Sequence, residues 1–440
     1  MSVYQDASQN GSTTRGEHRR MKREAAKMSF SELKSQTSDA MAKLSVELVL
    51  EHIEEEMDLE ADRLAGAAKG KHCKNRTGKR HGYTSGYVVM HGRKIEIDRP
   101  RVRSLDNKTE FELASYRWAR EHTALDMTAL LLLHEGISTR AYKSTVDTVA
   151  SIPDYIRTSG MSRSAVSRRF VKKASQVVDE IMSRPLNDTR YLAVFVDGTQ
   201  EGDHHVLVAL GLTEHGEKRI IGLSEGSSEN ASVAGELLAN LETRGLQTDG
   251  GLLMVIDGAK ALAAAITKTF GDEVLIQRCQ VHKMRNVLEK LPENKQAQVE
   301  RMIAKAYRAD SYSQAKTSLE ILADKLQLEG YQSAASSLRE GMSETLTVLK
   351  LGVDPGLCKT LSNTNPIESA FSVYAACSKH VKRWRNGRQA LNWIGMGLLK
   401  AEDGFQRIAN PDGLEKLADV LTRHAQSGVP AYQSKAASAA

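Results

Sequence analysis

Twice between residues 190 and 260 the chain runs through consecutive apolar residues into the same dipeptide, Phe195-Val196-Asp197-Gly198 and Val255-Ile256-Asp257-Gly258. Short apolar runs rich in β-branched residues read as strands buried on both faces. Residues 192–196, 206–212 and 219–223 form three such runs, with Glu214-His215-Gly216 as the turn between the last two. Helical spacing follows at 231–244, a buried strand at 252–256, a helix from Ala259 and a fifth strand at 274–276. Three consecutive antiparallel-type strands, then helix, strand, helix, strand, predict a mixed α/β sheet covered on both faces. Asp197 and Asp257 are expected at strand ends, where such a sheet presents functional side chains. Taken singly, each Asp-Gly is also an ordinary turn.

This order of elements describes a sheet of the ribonuclease H type. Around it the chain divides into an arm (1–40), a helix and basic β-hairpin region (41–123), a helical, helix-turn-helix-like region (124–188), the first part of the sheet domain (189–278), a helical insertion (279–360), the second part of the sheet domain (361–428) and a tail (429–440). In the first helix Leu44, Leu48, Leu50, Ile53, Met57 and Leu64 recur near helical spacing. Residues 69–103 hold eleven Lys/Arg against two acids, although the whole chain carries only +6. Tyr83, Tyr87, Val88, Val89, Ile95 and Ile97 alternate with polar residues around His91-Gly92, as a hairpin would. Such a hairpin can track a phosphate backbone through Arg76, Lys79, Arg80, Arg101 and Arg103; charges that merely guard a sheet edge are the alternative. In residues 161–170, with Ser138 and Ser162 read as N-caps and Gly160 as a C-cap, Val166 and Phe170 point inward. Arg163 and Arg168 are left outward, the pattern of a recognition helix.

Four cysteines, Cys73, Cys279, Cys358 and Cys377, do not make a disulfide framework and suit a reducing compartment. No apolar signal-peptide core opens the chain, and its longest apolar run, near residues 129–133, is far short of the ~20 residues of a membrane span. The expectation is a cytoplasmic, nucleoid-associated protein with no membrane function.

Glu368 follows in Asn365-Pro366-Ile367-Glu368, where it reads equally as a capping-box glutamate. Two aspartates on strands and a glutamate on a helix of one sheet can converge on hard cations, which take oxygen ligands. Two Mg²⁺ ions, or Mn²⁺ in their place, then suit nucleotidyl transfer on phosphodiesters. No Walker A sequence is present, so no nucleotide cofactor is expected. Cys279-x-x-His282 lacks a second pair for zinc within twenty residues and reads as structural, with Cys358, Cys377 and His380 as the remaining metal candidates. Gly222-Leu-Ser224-Glu-Gly226 matches a nucleophile elbow only in letters. Lys382, Arg383 and Arg385 around Trp384, read as part of a helix following Glu368, suit DNA held by phosphate contacts and stacking.

The succession Val196-Asp197-Gly198, Val255-Ile256-Asp257-Gly258-Ala259-Lys260, Arg278-Cys279-Gln280-Val281-His282-Lys283-Met284-Arg285-Asn286 and Asn363-Thr364-Asn365-Pro366-Ile367-Glu368-Ser369 resembles the mutator-type transposases of bacterial insertion sequences. Upstream, Arg80-His81-Gly82-Tyr83, Asp98-Arg99-Pro100-Arg101-Val102-Arg103 and Gly136-Ile137-Ser138-Thr139-Arg140 resemble the same family's DNA-binding signature. The resemblance implies a ribonuclease H-like domain interrupted by a helical insert, with an Asp/Asp/Glu triad falling on Asp197, Asp257 and Glu368. It also implies a DNA transposase that binds terminal inverted repeats, pairs them as a homodimer or higher oligomer, and joins them to target DNA. A domesticated DNA-binding regulator without catalysis, or a ribonuclease H-like nuclease or resolvase, are the alternatives.

Overall fold

The computed structural model describes residues 38–71, 74, 76–121, 123–226, 231–271 and 274–427; the expected arm up to residue 37, the tail from 428 and Cys73 lie outside the described residues. The chain divides into two compact units, residues 1–173 and 174–440.

In the first unit α1 (Ser38–Ala65) precedes the long hairpin of β1 (Gly78–Met90) and β2 (Arg93–Ser104). His91 and Gly92 both take positive φ, 48° and 72°, as a two-residue turn matching strand twist requires. The expected hairpin is therefore present at the expected turn. Val46, Leu50, Met57, Ala61 and Ala65 of α1 bury against Val88, Ile95, Ile97 and Val102. Leu48, expected on that face, is 47% exposed, because the buried seam runs through Val46 instead.

After β3 (Glu110–Phe111) come α2 (Ala114–Ala119), α3 (Thr123–His134), α4 (Tyr142–Val149), β4 (Thr158–Ser159) and α5 (Arg163–Ser183). The region 124–188, expected to be helical, is interrupted at residues 150–162. This stretch is not helical, and β4 within it pairs with Lys94 and Ile95 of β2. Gly160 accordingly follows a strand rather than ending a helix, and its φ of +83° starts the bend into α5. Ser162 does cap α5, its Oγ accepting from Ala165 N at 3.3 Å.

Arg93, one of the basic residues of the hairpin, is a core residue. Its guanidinium donates to Val146 O at 2.8 Å and Ala150 O at 2.6 Å and pairs with Asp147 at 3.0 Å, locking α4 onto the hairpin turn. Replacing it with Met keeps the bulk but removes the charged donor from both carbonyls, leaving Val146 O only its bond from Ala150 N. Urea unfolding of Arg93→Met should show a loss of about 3 kcal/mol.

The second unit is a five-stranded mixed sheet in the order β7 (Lys218–Gly226), β6 (His204–Thr213), β5 (Tyr191–Glu201), β8 (Leu253–Ile256), β9 (Leu275–Arg278). β5, β6 and β7 are antiparallel, while β8 and β9 run parallel to β5. Both faces are covered, as predicted. Val194, Val196, Leu207 and Ala209 meet α6 (Ala231–Thr243) and α7 (Lys260–Phe270). Leu192, Phe195, Val206 and Val208 belong to the opposite core. The Gly222–Gly226 pentapeptide is edge strand in β7, with no strand-to-helix elbow.

Beyond β9 the chain is helical: α8 (Gln280–Leu288), α9 (Glu293–Tyr307), α10 (Tyr312–Leu328), α11 (Gln332–Arg339) and the short α12 (Met342–Thr345), α13 (Thr347–Lys350) and α14 (Pro355–Leu361). Val287, Ile303, Leu319, Leu322 and Leu338 give these helices a core of their own. Polar bonds fasten them to β9. Gln277 donates to Thr345 O at 2.8 Å, and Thr347 Oγ1 donates to Ile276 O at 2.6 Å. Lys283 pairs with Glu340 at 3.0 Å and Arg278 with the same carboxylate at 3.1 Å. These bonds fix the root of α8, and with it His282.

α15 (Asn365–Ser378), α16 (Gly387–Asp403) and α17 (Pro411–Ser427) close the unit, Ile367, Ala370, Tyr374, Ile394, Leu398, Leu414 and Leu417 packing into the core of Phe195 and Val208. The basic stretch around Trp384, expected on a helix, lies in the connection between α15 and α16. Asn386 restarts the helix there by accepting from Gln389 N at 2.9 Å. Gly387 is needed beside it because any Cβ would strike the Glu225 carboxylate.

Candidate active site

The sheet sets the first two acids. Val196 is the parallel partner of Ile256, so Asp197 and Asp257, each one residue further on, leave adjacent strands at the same level. The two strands do not end alike. β8 stops, and Asp257 turns the chain by accepting from Ala259 N at 2.9 Å. β5 continues to Glu201, because β6 supplies partners as far as His204; Asp197 is thus inside a strand, which corrects its expected place at a strand end.

Asp197 is 7% exposed. Burial pushes its carboxyl up to about 6, although the Gly198 N–H, the Thr364 hydroxyl and His282 pull the other way; the neighbouring Asp257 charge adds to the rise.

Glu368 comes from α15, which packs on the sheet face that Phe195 shares. Thr364, rather than the expected Asn365, is the N-cap of α15, and Asn363 Oδ1 accepts from Asn365 N at 2.9 Å. Glu368 Oε1 faces inward, 3.5 Å from Thr364 Oγ1 and 3.6 Å from His282 Nε2.

His282, expected to be structural, lies among the acids. Cys279 caps α8, its sulfur accepting from His282 N at 3.5 Å, and this puts the imidazole at the carboxyl end of the sheet. The bond with Cys279 raises the imidazole to about 9 against the effect of burial, helped by the charges of Cys279, Asp197 and Glu368. Burial would lift the Cys279 thiol, but its hydrogen bonds with His282 and Thr364 outweigh that and lower it.

One ligand atom each from Asp197, His282 and Glu368 lies within 4.8 Å of the other two. Asp257 stands outside this group, and so do Cys358, Cys377 and His380. The signal for His282 is its position, four residues past a strand lying parallel beside the one that delivers Asp257.

The cations expected to bind DNA differ in how they are held. Arg80 pairs with Asp58 at 3.0 Å and Asp62 at 2.6 Å on α1. Arg101 and Arg103 share Glu110, at 2.6 and 3.5 Å. Arg76 and Lys79 are half-exposed and have no ion pair among the described residues; Arg163 and Arg168 are exposed on α5, likewise unpaired. Lys382, Arg383 and Arg385 are exposed in the α15–α16 connection, while Trp384 lies against Gly202 at the β5–β6 turn.

A mixed α/β sheet that gathers two carboxylates and an imidazole beyond its parallel strands has the layout of an enzyme's reaction centre. The model of the mutator family of transposases matches residues 18–407, and the chain belongs to that family. Curated relatives include the transposase of insertion sequence element ISRM5 of Rhizobium meliloti, 28% identical over 86% of this chain and 94% of the relative. The transposase of IS256 in transposon Tn4001 of Staphylococcus aureus is 26% identical over 77% of this chain and 84% of its own. That of IST2 of Acidithiobacillus ferrooxidans is 28% identical over 48% and 70%. Among the described residues no helix is long and apolar enough to cross a membrane.

Proposed function

We propose that this protein is a DNA transposase of an insertion sequence: it binds the terminal inverted repeats of its element, synapses them as a homodimer or higher oligomer, cleaves the ends and joins a 3′-hydroxyl to target DNA. The observation that carries this reading is the emergence of Asp197 and Asp257 at one level of adjacent parallel strands, with Glu368 brought to Asp197 from α15. The strand order, three antiparallel strands and then two parallel ones, supports a ribonuclease H-like domain of 189–278 and 361–428 interrupted by the helices of 279–360.

The donor set suits a hard divalent cation. Carboxylate oxygens dominate it, and Asp197, raised to about 6 by burial, is an acid whose negative charge its neighbours offset only in part. Asp197, Asp257 and Glu368 would hold two Mg²⁺, or Mn²⁺. Bound there, the ions supply activation of a water or 3′-hydroxyl and stabilisation of the leaving oxygen at a phosphodiester. The protein's own groups provide the frame: the β5–β8 register holds the aspartates, the Thr364 cap aims Glu368, and His282 Nε2 keeps its proton facing Glu368 Oε1. No general base is required of the side chains.

Incubating the protein with labelled duplexes bearing the element's ends, in Mg²⁺ and in EDTA, tests the reading. Metal-dependent nicking at the boundary is expected. Tight end binding without cleavage under any metal would replace it with a regulator, and binding indifferent to sequence with a structure-directed nuclease.

The unpaired cations should carry phosphate contacts. Substituting Arg163 and Arg168 together with Ala should flatten the log–log salt dependence of end binding by roughly 2, at ~0.9 per phosphate lost. An unchanged slope would remove α5 from the DNA interface.

A further inference from the structure

An N-cap threonine ordinarily accepts a hydrogen bond at its hydroxyl oxygen from a backbone N–H in the first turn of its helix. Thr364 does not. It caps α15 with its main chain alone, its carbonyl accepting from Ile367 N at 3.0 Å and Glu368 N at 3.2 Å, and its side chain makes no capping bond. The residue is completely buried. Its Oγ1 lies 3.4 Å from His282 Nδ1, 3.5 Å from Glu368 Oε1 and 3.6 Å from Cys279 Sγ, and it is among the groups that draw the Asp197 carboxyl down against burial. One hydroxyl therefore joins His282 to Glu368, two of the three residues whose ligand atoms gather within 4.8 Å of one another with Asp197.

The main chain around it is anchored on both sides. Gln280 N, at the start of α8, donates to Ser362 O at 2.9 Å, and Asn363 Oδ1 takes the Asn365 N–H at 2.9 Å. The hydroxyl is thus fixed relative to the roots of both α8 and α15. A hydroxyl has one proton to give and two lone pairs to offer. It can accept from His282 Nδ1 while donating to one carboxylate.

We propose that Thr364 is the positioning residue that holds Glu368 and His282 at the distance from Asp197 that a shared cation needs. The inference rests on the reading of those acids as the metal-holding pair. Groups that orient ligands in this way typically change metal affinity 10- to 100-fold when removed.

The test compares Thr364→Val, which keeps the shape and loses the hydroxyl, with Thr364→Ser, which keeps the hydroxyl. The readout is the rise in melting temperature of the full chain on titration with MnCl₂ or MgCl₂, alongside end cleavage. Wild type and Thr364→Ser are expected to respond at similar metal concentrations, and Thr364→Val to need about 10- to 100-fold more. A metal response of Thr364→Val equal to wild type overturns the proposal, and so does loss of the response in Thr364→Ser. Should valine fail to fold, Thr364→Ala, which leaves only a small void, is read by the same criteria. A wild-type protein showing neither metal response nor cleavage instead refutes the metal-dependent transposase reading itself.

Discussion

Asp197→Asn and Glu368→Gln, made separately, should each lower metal-dependent end cleavage by roughly 10³-fold or more while leaving gel-shift affinity for the same duplex within about twofold. Each change removes one negative oxygen from a site whose work is to stabilise charge in the transition state, an effect of several kcal/mol. Neither side chain contacts the basic residues expected to carry DNA, and removing a negative charge beside a phosphate path does not weaken binding. Asp257→Asn gives the sharper result. Asp257 leaves β8 level with Asp197 yet lies outside the group of Asp197, His282 and Glu368. A cleavage loss equal to that of the other two establishes the Asp/Asp/Glu triad. An undiminished Asp257→Asn enzyme sinks it and leaves His282 as the third member.

The five strands of the sheet, the Glu214-His215-Gly216 turn and the His91-Gly92 hairpin are legible from local pattern, because each rests on short-range periodicity or on a backbone that takes positive φ. Features set by distant partners are not. An Asp-Gly dipeptide looks like a turn, but β5 runs past Asp197 because β6 happens to offer a full ladder beside it. Residues 150–159 fall in a stretch that reads as helical up to a Gly160 cap, yet β4 within them pairs with β2, more than fifty residues away in sequence. Arg80 and Arg101 looked free until Asp58, Asp62 and Glu110 folded against them. The candidate site divides the same way. Strand patterning pointed to Asp197 and Asp257 singly. Only the packing of α8 and α15 showed that Cys279-x-x-His282 and Thr364-Asn365-Pro366-Ile367-Glu368 meet, which makes the apparently structural His282 a neighbour of two acids.

In EDTA at pH 8, Asp197→Asn should be more stable than the wild type by about 1–3 kcal/mol, visible as a rise of roughly 4–8 °C in the melting temperature of the sheet unit. The buried Asp197 carboxyl titrates near 6 in the folded protein, against its ordinary 3.8. Between those values the folded state binds the proton more tightly than the unfolded state, so stability falls as pH rises from about 4 and the deficit is complete above about pH 7. A shift of about two units corresponds to roughly 3 kcal/mol, and asparagine, which never ionises, escapes it. The stability gap between variant and wild type should therefore close as pH is lowered to 4, where both side chains are neutral. Divalent metal closes it from the other side. A cation at 100 times its Kd stabilises the protein that binds it by about 2.7 kcal/mol, and the variant, lacking a ligand oxygen, gains less. A site residue whose loss strengthens the metal-free fold and abolishes its metal response is there for charge chemistry; an Asp197→Asn protein no more stable than wild type at pH 8 in EDTA would mean the carboxylate is already compensated by His282 and the Gly198 N–H.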